Sequence, residues 1–261
     1  MSDKIQRTPL VMANWKMNFS VSDALKFAMG FEREFKVCPD DVEVVFIPSF
    51  VALYPMIASL EETGFKIGAQ DLFWEERGNF TGEVSGKDLK EMEVEFVLIG
   101  HSERRHLLGE TDRQVAKKLQ TALDAGLKPV LCVGETADQR NGQKTFEVLE
   151  TQLRLALEDK TIHVLENLVI AYEPVWAIGT GNTASPTQAQ EVQHWIRNFL
   201  TKKFDAPFAN RTRILYGGSV DPAKAPGLTA QPDIDGFLVG GASLDPKKFA
   251  DIVRTIGLKS T

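Results

Sequence analysis

Residues 168–175 read LVIAYEPV, and the reading of this stretch decides the fold. Five apolar or aromatic positions, Leu168 to Tyr172, run without the polar alternation of a strand that faces water on one side. A run apolar on both faces belongs to a strand covered on both sides, as in a parallel sheet. The run ends in a carboxylate, Glu173, followed by a proline. Working outward, the same pattern recurs at LVMANWK (10–16), VEVVFIPS (42–49), KIGAQDL (66–72), EFVLIGHS (95–102), KPVLCVGE (128–135), RILYGGSV (213–220) and DGFLVGGAS (235–243). That makes eight strand candidates.

The segments between them carry helical periodicity. Ala24, Phe27, Ala28, Phe31 and Phe35 recur at helical spacing after Ser22. Thr111 and Gln114 form a capping-box pattern ahead of Val115, Leu119, Ala122 and Leu123, with Gly126 as a stop. Ser185-Pro186 with Gln188 opens a helix whose apolar face carries Ala189, Val192, Ile196 and Phe199. Strand and helix alternating eight times leaves a doubly wound sheet or a closed (β/α)8 barrel, and the strand count favours the barrel. No Pro/Gly/Ser-rich linker divides the chain, so residues 1–261 are expected to form one α/β domain.

Composition fits a globular protein: 261 residues, 43% hydrophobic and 25% charged. A net charge of -6, with no basic stripe, argues against a nucleic-acid partner. It does not argue against a small anion, which needs only a few local donors. Cys38 and Cys132 form no CxxC pair, and Cys132, inside PVLCVG, reads as a core thiol. No apolar run approaches the ~18 residues of a membrane span, and MSDKIQRT has no apolar leader pattern. The expectation is a cytoplasmic protein without membrane attachment.

In such barrels the C-terminal ends of the strands face the site. Those ends supply Asn14 and Lys16, then His101, Ser102 and Glu103, then Glu173, then Gly217-Gly218-Ser219, and Gly240-Gly241. A lone lysine is usually a solvated charge, and a glycine pair usually marks tight geometry alone. His106, His163 and His194 read as surface residues. His101 differs, because it ends an apolar run and precedes SERR, which reads as a helix start. A helix N-terminus disfavours imidazolium, so a neutral imidazole donor is expected. A carboxylate entering from LVIAY is costly unless it is used. The glycine turns suit a phosphate held by backbone N–H groups, and no GxxxxGK[ST] loop occurs. A base, a neutral donor, a cation and a phosphate cradle suit proton abstraction beside the carbonyl of a small phosphorylated sugar. That chemistry calls for neither a metal nor a redox cofactor. An epimerase-type barrel would want a His and Asp metal set at the strand ends, and only His101 qualifies. A silent phosphate-binding scaffold would be favoured by loss of Lys16, His101 or Glu173, and all three are present.

The segments NWKMN (14–18), GHSERR (100–105), AYEPVWAIGTG (171–181), LYGGSV (215–220) and DGFLVGGASL (235–244) resemble the signature segments of the triosephosphate isomerase family, in order and over nearly the whole chain. The resemblance implies a metal-independent isomerase acting on a phosphorylated triose. Glu173 would be the general base, His101 the neutral electrophile and Lys16 the electrostatic stabiliser. Asn14, Lys16, Gly179, Ser219, Gly240 and Gly241 would bind substrate, with Glu103 a supporting carboxylate near Lys16. Residues 174–184 would form a closing lid. The family likeness also implies a homodimer in which Thr81, at the tip of EERGNFTGEV (75–84), inserts beside Asn14 and Lys16 of a second subunit. The chain departs from the usual pattern at Phe19 and Asn79, and at Asn182 in the lid's hinge.

Overall fold

A computed structural model describes residues 7–178 and 183–257. All eight expected runs form strands: β1 (Leu10–Asn14), β2 (Glu43–Ile47), β3 (Lys66–Ala69), β4 (Phe96–Ile99), β5 (Lys128–Val133), β6 (Val169–Tyr172), β7 (Arg213–Tyr216) and β8 (Gly236–Val239). Each is parallel to its neighbours in chain order, and β8 pairs back onto β1, with Leu10 opposite both Glu43 and Gly236. Closure excludes the doubly wound alternative, which would leave two edges open. Most strands stop short of their apolar runs, because the last residues leave the ladder to build the barrel's mouth.

The helices are α1 (Val21–Glu32), α2 (Leu53–Ser59), α3 (Gly86–Glu91), α4 (Ser102–Leu107), α5 (Asp112–Asp124), α6 (Ala137–Asn141), α7 (Thr145–Ala156), α8 (Pro186–Lys203), α9 (Ala206–Arg211), α10 (Ala225–Thr229) and α11 (Pro246–Gly257). The capping boxes at Thr111 and Ser185 form as the sequence implies, with Pro186 in the first turn of α8. Helix α1 starts earlier than Ser22, since the Ser20 side chain accepts from the Asp23 amide and caps it. It ends before Phe35, whose ring packs 5.5 Å from that of Phe31 from outside the helix.

Period-two alternation splits every strand except β3, whose inward position is Gly68, between two cores. Inward residues such as Leu10, Met12, Val45, Phe96, Leu98, Cys132 and Leu215 fill the barrel. Outward residues such as Val11, Ala13 and Phe46 pack under the helices. There Trp15, Phe27, Phe31, Phe46 and Phe249 form a chain of ring contacts between 4.9 and 5.9 Å. Burying each such ring contributes roughly 1.5–3 kcal/mol. Phe19 joins this cluster, 5.0 Å from Trp15, which accounts for an aromatic at that departure. Cys132 is fully buried, the core thiol expected, and Cys38 is half-buried. Among the described residues no helix is long and apolar enough to cross a membrane.

One residue re-aims the fourth strand. Alternation from Phe96 and Leu98 would send Gly100 inward and His101 outward. Gly100 takes a left-handed φ of 71°, which breaks the phase and brings His101 to the mouth. A Cβ there would meet Val115 Cγ2 at 2.8 Å. Gly100→Ala is therefore expected to destabilise the fold by at least about 1–2 kcal/mol, the cost of a left-handed residue with a Cβ. A urea midpoint equal to wild type would contradict this.

Candidate active site

On β1 the inward positions Leu10 and Met12 lead to Asn14, and then to Lys16. Lys16 holds φ at 52°, a region sparsely occupied by non-glycine residues. Its neighbours fix that conformation. The Lys16 amide donates to Asn14 Oδ1 at 3.0 Å, and its carbonyl accepts from Gln70 Nε2 at 2.7 Å. Gln70 also donates to the Ile47 carbonyl at 3.2 Å, spanning three strand ends. The ammonium meets Glu103 Oε1 at 2.6 Å.

His101 caps α4, its Nδ1 accepting from the Glu103 amide at 3.3 Å. In the neutral ring the proton therefore sits on Nε2, 3.0 Å from Glu173 Oε1 and 3.3 Å from Asn14 Nδ2. Glu173 continues the inward phase of Val169 and Ala171, and is buried. Its carboxylate also accepts from the Ser102 amide at 2.9 Å and the Ser102 hydroxyl at 3.3 Å. Burial alone would raise the Glu173 pKa, but His101, the Ser102 amide and Lys16 outweigh it and hold the carboxyl below the ordinary glutamate value. For His101, burial lowers proton affinity while Glu173 and Glu103 raise it, and the balance lies above the ordinary histidine value. This corrects the expectation of a depressed value: α4 is short, and a carboxylate within 3.0 Å outweighs its dipole in this arrangement.

These groups share one cavity of about 350 Å³, lined by Asn14, Lys16, His101, Glu173, Gly217, Gly218, Ser219, Gly240 and Gly241, among others. The two glycine turns thus reach the same space as the ammonium. Gly217 packs against Glu173, where a Cβ would stand 2.9 Å from its Cγ. Trp15 Nε1 donates to the Ser243 carbonyl at 3.0 Å and ties the β1 end to the turn after β8. A wider groove of about 860 Å³ runs past α2 and β3, but its charged rim holds no histidine and no paired glycine turn. Thr81 lies exposed on the loop between β3 and α3, away from this cavity's lining. Gly179 and Asn182 lie outside the described residues. His106, His163 and His194 are exposed as expected, although His194 Nδ1 meets Asp233 at 2.9 Å. Among the described residues no three His, Cys, Asp or Glu side chains gather as a metal site requires.

Two residues escaped the sequence reading. Gln70 directly follows β3 within KIGAQDL and Glu135 ends KPVLCVGE, so the strand-end rule applied to β3 and β5 finds both. Glu135 is fully buried and accepts from Tyr172 Oη at 3.1 Å, Trp176 Nε1 at 2.9 Å and Arg140 Nη1 at 2.9 Å. It thereby anchors the segment that leaves Glu173.

A family sequence model described as Triosephosphate isomerase matches residues 9–256. A triosephosphate isomerase of Trichlorobacter lovleyi is 49% identical over 253 residues, covering 96% of this chain and all of the relative. Relatives of the same name from Thermoanaerobacter and Aquifex aeolicus are 48% and 46% identical. They cover 95% and 94% of this chain, and 99% and 98% of their own length. The chain belongs to the triosephosphate isomerase family and is, with it, an isomerase.

Proposed function

We propose that the chain interconverts dihydroxyacetone phosphate and glyceraldehyde 3-phosphate through an enediolate, with Glu173 as base, His101 as neutral electrophile and Lys16 as electrostatic stabiliser. The observation that carries this reading is a buried carboxylate, held ionised, that shares one cavity with an imidazole N–H, an ammonium and two glycine turns. Backbone N–H groups around Ser219, Gly240 and Gly241, with Gly179 from the lid, hold the phosphate dianion. Asn14 and Lys16 face the carbonyl end. Glu173 leaves Ser102 and His101 to take a proton from carbon, while His101 Nε2–H donates to the carbonyl oxygen. That movement takes away the carboxylate that raises the imidazole's proton affinity, and burial then keeps His101 neutral. Its Nδ1 lone pair, occupied by the Glu103 amide, also resists a second proton.

Residues 174–184 serve as the lid, excluding water that would divert the enediolate. Its first end is anchored by Trp176 on Glu135. At its other end the buried Tyr216 hydroxyl, without a hydrogen bond of ordinary length, faces the Ala184 backbone and offers a latch for closure.

Exposed apolar side chains support a homodimer. Met17, Phe50, Val51, Tyr54, Phe80, Leu107 and Leu108 lie on segments following β1 to β4, neighbours on one side of the mouth. A second copy covering that side makes a homodimer, with the Thr81 loop reaching the partner's Asn14 and Lys16. Light scattering at micromolar concentration should give twice the mass of the 29.0 kDa chain. A fully active monomer would contradict it.

Turnover of dihydroxyacetone phosphate, unchanged by a chelator, is expected of the purified chain. No turnover would overturn the proposal, and loss with chelator would overturn its metal independence. Glu173→Asp withdraws the carboxylate by roughly 1 Å and should lower kcat on the order of 10²-fold with KM little changed. An equal kcat would remove Glu173 from the mechanism.

The His101–Glu173 pair also carries a pH signature. A lowered Glu173 pKa stabilises the fold above its unfolded value of about 4.5, and this is lost as pH falls through the folded value. A raised His101 pKa stabilises below its unfolded value of about 6.5, and this is lost as pH rises through the folded value. The gap in thermal midpoint between wild type and Glu173→Gln should therefore be widest between these two values and narrow on either side. A gap independent of pH would rule the ion pair out.

A further inference from the structure

Behind the cavity, outside its lining, lies a second set of charges that the proposed mechanism does not use. Lys118 on α5 is 2% exposed and donates to both oxygens of Asp71 at 2.7 Å. It also pairs with Glu110, on the loop between α4 and α5. Arg104 on α4 donates to Asp71 at 2.8 Å and to Glu110 at 3.5 Å. Asp71, Glu110 and Lys118 are buried, so two carboxylates face one buried ammonium and one half-buried guanidinium. Burial pushes the Asp71 carboxyl up to about 6 against the pull of Lys118 and Arg104, and it remains charged at neutral pH.

The positions of these residues in the chain give the cluster its meaning. Asp71 directly follows Gln70, which holds the Lys16 carbonyl. Arg104 directly follows Glu103, which holds the Lys16 ammonium and whose amide caps against His101. Both polar supports of the left-handed Lys16 on other segments are thus one peptide bond away from a member of the cluster. A largely buried set of paired charges is costly to break, because a displaced buried partner is left uncompensated. It therefore fixes the spacing between the end of β3 and α4.

We propose that Asp71, Lys118, Glu110 and Arg104 form an electrostatic clamp that positions Lys16 for its anionic substrate, making Asp71 and Lys118 positioning residues for the reaction. The proposal rests on the reading of Lys16 as the substrate's cationic partner. A clamp that acts through Lys16 governs anion affinity, whereas a cluster that only stabilises the fold does not.

The test compares wild type, Asp71→Asn and the double variant Asp71→Asn/Lys118→Met. The double variant keeps one buried carboxylate, Glu110, against one guanidinium, Arg104, and so avoids a stranded charge. Inorganic phosphate serves as competitive inhibitor and dihydroxyacetone phosphate as substrate, with a thermal midpoint and size-exclusion elution for each protein. In folded double variant eluting as wild type, the phosphate Ki and the KM are both expected to rise about tenfold, with kcat falling less, as when a binding group is loosened. Asp71→Asn, which keeps the shape, should show a smaller rise in the same direction, and it decides the matter if the double variant does not fold. A lowered midpoint with unchanged Ki and KM would overturn the clamp. A wild-type chain that neither turns over the triose phosphate nor is inhibited by phosphate would overturn the reading of the site itself.

Discussion

The site depends on one constraint: the carboxylate of Glu173 must remain charged where water does not reach it. Stripping an ionised carboxylate of solvent costs several kcal/mol unless other donors replace the water. Here the donors come from the first residues of α4, as the Ser102 amide, the Ser102 hydroxyl and the His101 imidazole. Much of the local backbone follows from bringing them there. Gly100 turns left-handed so that the residue after it faces inward. Gly134 leaves room for the backbone of Glu173, whose carbonyl would lie 1.7 Å from any Cβ at that position.

The parked carboxylate also ties Glu173 and His101 together electrically. While Glu173 rests against His101, each shifts the other's proton affinity toward the charged form. The arrangement stabilises the empty site, yet it is not the geometry that the proposed chemistry uses, since the carboxylate must reach a carbon and the imidazole N–H a carbonyl oxygen. Binding a substrate that draws the carboxylate away therefore does two things at once. It frees the carboxylate, and it leaves the imidazole to burial, which favours the neutral form.

Much of this was legible in the chain. Parallel strands buried on both faces announce themselves as continuous apolar runs, so all eight were found, although their ends were set too late. The overrun has a physical cause: Trp15, Lys16, His101 and Glu173 continue the apolar or alternating pattern but leave the ladder to form the mouth. Capping signals at Thr111 and Ser185 are local and were read correctly. Interactions between distant segments left no local trace. Nothing in SERR says that Ser102 serves Glu173, 71 positions away. The direction of the His101 pKa differs from the sequence expectation for the same reason, because the helix end is visible in sequence and the facing carboxylate is not. Asp71 lies in the KIGAQDL run and Lys118 on α5, and neither position alone shows that the fold buries them together.

Lys16 shows why such distant contacts matter. Its ammonium is only partly shielded, 26% exposed in the side chain, so its field on an anion is sensitive to where it points. A flexible lysine would spread that field over many rotamers and lose it to solvent. The chain restricts it from both ends, with the backbone fixed by Asn14 and Gln70 and the head by Glu103. The carboxylate of Glu103 partly neutralises the charge it orients, a cost that a site evolved for affinity alone would avoid. It is tolerable if the ammonium's task is to meet negative charge at one place, where an enediolate oxygen develops, because stabilisation there depends on preorganised direction more than on total charge.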